Sequence, residues 1–134
     1  MSASSTTADS CATLCGTISS DTYLYAANGP YLMTCQYFVE SGATLYIEAG
    51  TTIYALSAAQ ALALGNADAA PALVVLPGGA ISATGTATAP ITFTSNDVAN
   101  ANNQERGLWG GLIIMGTASV YGGTAEVEGV TGYY

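Results

Sequence analysis

Arg106 is the one cation of the 134-residue chain, which has no Lys and no His against nine acids and a net charge of −8. It opens the run Arg106-Gly107-Leu108-Trp109-Gly110-Gly111. As a functional group it would bind a carboxylate. A single arginine cannot serve both as a base and as a substrate clamp. The residue types therefore predict a structural role: a charge-assisted bridge from Arg106 to Glu105, Glu126 or Glu128. Trp109 would then be a large core or rim residue beside it. Gly110 and Gly111 would let neighbouring backbone approach closely.

The remaining chemistry is acidic, sulfur-based or aromatic. Residues 95–105 (SNDVANANNQE) gather Asp97, Asn100, Asn102, Asn103 and Glu105. Such oxygen donors suit calcium, but the EF-hand order is absent and two carboxylates make a weak site. The plainer expectation is an Asn-rich surface loop built on local side-chain turns. Glu126 and Glu128 form the one close pair of acids on a single strand face, the minimum for acid–base work on a glycan.

Cys11, Cys15 and Cys35 are odd in number. No second Cys or His pair completes a zinc site. A bridge from Cys11 or Cys15 to Cys35 would tie the N-terminal segment to the first strands and add roughly 3 kcal/mol. The leftover thiol would then be open to a bond between chains. Three reduced thiols are the alternative.

Of nine tyrosines, Tyr46 and Tyr54 fall on predicted strands and point outward if Leu45, Ile47 and Ile53 point in. With Tyr133 and Tyr134 they are candidates for stacking on sugars or for contact with another subunit, where tyrosine is enriched. Threonines at period two (Thr84, Thr86, Thr88) suit a solvated strand face. Their pattern is not repeated around Leu45 or Val120, as an ice-binding array would need.

Several functions are excluded by composition alone. Nucleic-acid binding needs multiple cations to displace counterions from phosphates. Histidine catalysis, histidine metal sites and lysine Schiff bases have no residues to carry them. With 50% hydrophobic residues and a mean hydropathy of +0.38, disorder is not expected. No apolar run approaches the ~18 residues of a membrane span, and residues 1–10 lack the basic start and apolar stretch of a signal peptide. No cofactor is expected apart from the calcium alternative.

The elements that must position these groups are short strands. Residues 1–20 read as an extended lead-in without periodicity, and residues 21–134 as one β domain. Strand-like runs occur at 31–40 (YLMTCQYFVE), 44–48 (TLYIE), 51–54, 73–76 (LVVL), 80–83, 91–94 (ITFT), 108–115 (LWGGLIIM), 118–121 and 125–130. Alternation of Leu45 and Ile47 with polar neighbours marks a half-buried strand. Ser57 and Gln60 form a capping box with Gly65 as a C-terminal stop, which predicts a two-turn helical excursion over 57–65.

Self-comparison reveals a repeat. Shifted by 36 residues, YFVESGATL (37–45) lies over LVVLPGGAI (73–81), and a further 39 brings in LIIMGTASV (112–120). Val39, Val75 and Ile114 stack, as do Leu45, Ile81 and Val120. Units that cannot bury a face alone share one core when stacked. The fold class predicted is all-β, a right-handed parallel β-helix or solenoid. The alternative is a β-sandwich or jelly roll, for which hairpin signals are lacking.

The runs GATLYIEAGTTIYA (42–55), ALVVLPGGAISATGTATAPITFTS (72–95), RGLWGGLIIMGTASV (106–120) and EVEGV (126–130) resemble a family of secreted bacterial β-helix proteins. These are common in Bacteroidetes and related marine lineages, as lipoproteins or type IX secretion cargo. The resemblance covers about 21–130 and implies a right-handed parallel β-helix at the cell surface or outside the cell. It implies no established activity. Family members are usually several times longer and many carry lysines, so this chain resembles an N-terminal portion. Polysaccharide lyases built on β-helices typically need a basic catalytic residue and a cluster of acids holding calcium, which Arg106 alone does not supply.

The function expected is a non-enzymatic extracellular module of a surface fibre, layer or adhesin. Surface-polysaccharide binding is the alternative, ahead of a glycan lyase or hydrolase. Residues 129–134 (GVTGYY) show no polar cap, so either more chain follows in the parent protein, or self-association or continuation of the solenoid by another chain is expected, with head-to-tail stacking as the route to a fibre.

Overall fold

Each strand among the described residues pairs with a strand one coil away instead of folding back on its neighbour. The computed structural model describes residues 12–66, 70–96, 107–119, 121–123 and 127. Among them are strands β1 (Ala12–Ile18), β2 (Thr22–Leu24), β3 (Tyr31–Val39), β4 (Thr44–Ile47), β5 (Thr52–Ala55), β6 (Ala72–Val75), β7 (Ala80–Ala83), β8 (Thr92–Ser95) and β9 (Gly111–Ile114). One α-helix, α1 (Ala58–Ala63), and a single 3-10 turn at Ala26–Asn28 interrupt them.

Every strand pairing is parallel. The first half of β3 pairs with β5 and its second half with β6, while β1 lies along both halves. The six-stranded sheet therefore has two sides, meeting at residues 34–36. A second sheet, in the order β2-β4-β7, forms the third side. Coils run β1-β2, β3-β4, β5-β6-β7 and β8-β9. This is a parallel β-helix, as the repeat predicts.

The 36-residue shift is the coil-to-coil register of β3 on β6 and β4 on β7: Val39 lies opposite Val75 and Leu45 opposite Ile81. The further shift of 39 places Val75 opposite Ile114. Val120 lies outside the described residues. Period-two alternation sends Met33, Val39, Leu45, Ile53, Leu73 and Val75 into the tube, each at most 1% exposed. Val74 points outward yet is fully buried, because Phe38, Ile113, Met115 and Val127 cover that face.

Variation in coil length is concentrated at one corner, between the two sides of the six-stranded sheet. There, among the described residues, the chain spends Cys15 in the first coil, residues 34–36 in the second, 56–66 and 70–71 in the third, and 96 and 107–110 in the fourth. Helix α1 grows from this corner. The Ser57 hydroxyl accepts the Gln60 N–H at 3.2 Å and the Gln60 side chain accepts the Ser57 N–H at 2.9 Å, completing the capping box. At the other end Gly65 takes φ +82°, and the N–H groups of Gly65 and Asn66 donate to Leu62 and Ala61 in a Schellman motif. The Asn66 amide then donates to the Thr34 carbonyl at 2.8 Å, fastening the insertion to the coil before it.

Several strand assignments differ from the sequence reading, β2 among them, which is not one of the expected runs. Residues 12–18, within the segment read as a lead-in, form β1 and pair with β3. Their alternation is faint because β1 has one fully buried side chain, Leu14, and Gly16 sits at φ +91°. Residues 118, 119 and 121 are not in a strand, since Gly122 and Gly123, at φ +91° and +96°, turn the chain there. Of the strand expected over 125–130, Val127 alone lies within the described residues, and it is not in a strand.

Candidate functional site

The outer face of the β2-β4-β7 sheet gathers the largest group of polar aromatic side chains among the described residues. Leu24, Leu45 and Ile47 occupy the inward positions, so Tyr23 and Tyr46, which are register partners, both point out. Their rings stack with centroids 4.6 Å apart and planes within 7°. Tyr25 continues the parallel array, 6.1 Å from Tyr23 and within 9° of its plane. These rings and the side chains of Glu48 and Ser82 line a cleft of about 210 Å³.

The cleft is held from below. Glu48 Oε2 accepts the Ala26 N–H at 2.8 Å, across from one coil to the other. The buried Tyr31 hydroxyl donates to the Tyr25 carbonyl at 3.0 Å. Burial raises the Tyr31 phenol pKa above its ordinary range; the Tyr25 bond lowers it in part, and the Glu48 charge adds a further upward push. Burial alone raises that of Tyr37.

Sequence reasoning selected Tyr46 for this surface but missed Tyr23 and Tyr25. Their 23-residue and 21-residue separations from Tyr46 carry no signal until the coil length is known. Tyr54 points outward on β5, on a different side of the tube from Tyr46. Tyr133 and Tyr134 lie outside the described residues.

A second cavity, of about 300 Å³, lies at the fourth coil between Phe93, Thr94, Ser95, Gly107, Leu108 and Trp109. Trp109 stacks on Phe93 with centroids 6.3 Å apart and both pack against the main core. Gly110 and Gly111 serve different needs. A Cβ on Gly110 would stand 2.7 Å from Ala72 Cβ and 2.9 Å from the Pro71 carbonyl, and its N–H donates to that carbonyl at 2.7 Å. Gly111 has open space but takes φ +86°. Arg106 and its expected bridge partners, Glu105, Glu126 and Glu128, lie outside the described residues, as do Asp97, Asn100, Asn102 and Cys11.

Cys15 and Cys35 are bonded, with Cα atoms 4.9 Å apart. Asp21 resembles Glu48 in its use: its Oδ1 accepts the Thr44 N–H at 2.9 Å, again between coils. Among the described residues no group of three or more His, Cys, Asp or Glu side chains is placed to hold a metal. No helix among them is long and apolar enough to cross a membrane.

The end of the tube beyond β9 has a different character. Leu112 and Ile114 continue the inward columns of Leu73 and Val75 but are 43% and 62% exposed. The inward residues of the first coil, Leu14 and Leu24, are 5% and 4% exposed.

A family model described as a pectate-lyase-like beta helix domain matches residues 16–133. The chain belongs to that family. The matched residues run from Gly16 of β1 through β9 and so take in all but the first residues of the tube. No curated protein matches the chain, and no solved structure matches it.

Proposed function

We propose that this β-helix is a non-enzymatic extracellular structural module, a unit of a cell-surface fibre, layer or adhesin of the secreted Bacteroidetes type. The observation that carries the reading is the exposure of the inward residues of β9, the last strand among the described residues. Leu112 and Ile114 sit in columns whose previous members, Leu73 and Val75, are fully buried. Burying two such side chains stabilises by roughly 1.5–3 kcal/mol each, and β9 offers the matching row of main-chain donors and acceptors on its outer edge. A further coil, from a continuation of the solenoid or from a second copy, satisfies both.

The non-enzymatic part of the reading is supported by how the described acids are used. Asp21 and Glu48 accept backbone N–H groups between coils, which is a scaffold role. Light scattering of the purified chain with and without reductant, alongside negative-stain images, tests the proposal. Oligomers or filaments are the expected result, and their loss on reduction would assign the odd thiol to a bond between chains. A clean monomer at all concentrations overturns self-assembly.

A further inference from the structure

We infer that the Tyr23-Tyr25-Tyr46 cleft binds an organic ammonium group. The faces of tyrosine rings carry negative quadrupole potential and attract cations within about 6 Å of the centroid. Three such rings lie nearly parallel here, and Tyr23 and Tyr25 keep 53% and 48% of their surface open. Glu48 lines the same cleft with a carboxylate whose Oε2 is fixed by the Ala26 N–H. No Lys, Arg or His occurs among the described residues, so none of them neutralises that charge. The chain's net charge of −8 draws cations toward the whole surface.

The size and form of the site favour a compact cation over a sugar. Stacking spends one face each of Tyr23 and Tyr46 on the other, which reduces the flat open area that a sugar ring would cover more than it affects a compact cation, for which one remaining face or Tyr25 is enough. A cleft of about 210 Å³ walled by parallel rings and one carboxylate suits a methylated or primary ammonium head group. The bonds to Ala26 and from Tyr31 hold Glu48 and the Tyr25 backbone in place before any ligand arrives, which removes part of the ordering cost of binding.

The test is a titration of the full chain with choline and with 3,3-dimethyl-1-butanol, its uncharged shape match, followed by tyrosine ring NMR signals. Choline is expected to shift the rings of Tyr23, Tyr25 and Tyr46 and to saturate, and the alcohol is not. Tyr23→Leu and Tyr25→Leu should each weaken choline binding by about 5-fold or more, and Tyr54→Leu, on another side of the tube, should leave it unchanged. Circular dichroism checks that each variant keeps its fold. No saturation by choline, equal binding of choline and the alcohol, or full affinity in a folded Tyr23→Leu overturns the inference. Saturation by cellobiose with no response to choline overturns it in favour of a sugar site. The comparison of the two probes on the unaltered chain decides the matter even if both variants fail to fold, and its outcome is independent of oligomeric state.

Discussion

Cys15 of β1 and Cys35 of β3 are bonded at the point where the pairing of these strands slips, between Leu14 opposite Met33 and Gly16 opposite Tyr37. One residue of β1 there faces residues 34–36 of β3, so the regular ladder lapses and the covalent bond spans the gap. The bond closes a loop with a sequence separation of 20, worth about 3 kcal/mol in the chain-entropy account. Cys35→Ser should lower the unfolding free energy by about 2–4 kcal/mol in urea melts. A non-reducing digest should yield the Cys15–Cys35 peptide. Recovery of a Cys11–Cys35 peptide in its place would contradict the pairing.

The two turns that carry β3 into β4 and β6 into β7 separate two glycine requirements. A Cβ on Gly79 would stand 2.6 Å from the Val39 carbonyl and 3.0 Å from that of Glu40, both main-chain atoms of the coil below. Gly42 has nothing within 4 Å and needs glycine for its φ of +87°. Gly79→Ala should therefore cost about 3 kcal/mol or more by forcing coils apart. Gly42→Ala should cost about 1–2 kcal/mol from backbone strain alone. Equal losses in thermal or urea unfolding would refute the distinction.

Leu73 and Leu112 share one inward column at different depths. Leu73→Ala leaves a cavity in a fully buried site and should cost about 2–5 kcal/mol. In a dilute monomer Leu112→Ala should cost well under half of that, because its side chain is 43% exposed. If another coil covers β9, the cost of Leu112→Ala rises with protein concentration, and Ile114→Glu lowers the solution mass. Concentration-independent behaviour of both variants would count against the open end as a joining surface.

Burial raises the Tyr31 and Tyr37 phenol pKa values above the unfolded value of about 10. The neutral phenols are therefore favoured by the fold. This stabilisation is complete below about pH 10 and is lost as pH climbs past it toward the raised folded-state values. Ultraviolet titration should show Tyr31 and Tyr37 ionising late, with the lag abolished in urea. Ionisation of all tyrosines in one step near pH 10 would rule out the prediction.

The parts of this fold that the sequence displayed are those whose spacing stays constant. Residues 37–45 and 73–81 each hold a strand, a glycine turn and a second strand without insertion, so Val39 and Leu45 could be matched to Val75 and Ile81 by inspection. The strands on the other side of the corner were hidden. Tyr31 and Ile53 are register partners 22 residues apart, but Ile53 and Phe93 are 40 apart, because helix α1 and its flanks intervene. A period that changes in this way leaves no self-similarity to detect. The same gap in the pattern concealed the aromatic cleft, since pairing Tyr23 with Tyr46 requires the short first coil through β1 and β2. Trp109, Gly110 and the capping box of Ser57 and Gln60 needed no long-range register, and local pattern was enough to single them out.

Among the described residues the longest addition, the one that carries helix α1, leaves from the seam that Cys15 and residues 34–36 occupy in the coils before it. Coil height and strand pairing on the remaining sides are indifferent to it. That seam is therefore a grafting site: a foreign peptide spliced between Thr34 and Gln36 would hang outward as α1 does one storey on, displacing Cys35 and its bond but leaving the register of Tyr37, Leu73 and Leu112 to be set by their own strands. An engineer seeking a rigid rod with a row of interchangeable side arms at a fixed interval would find the row already laid out.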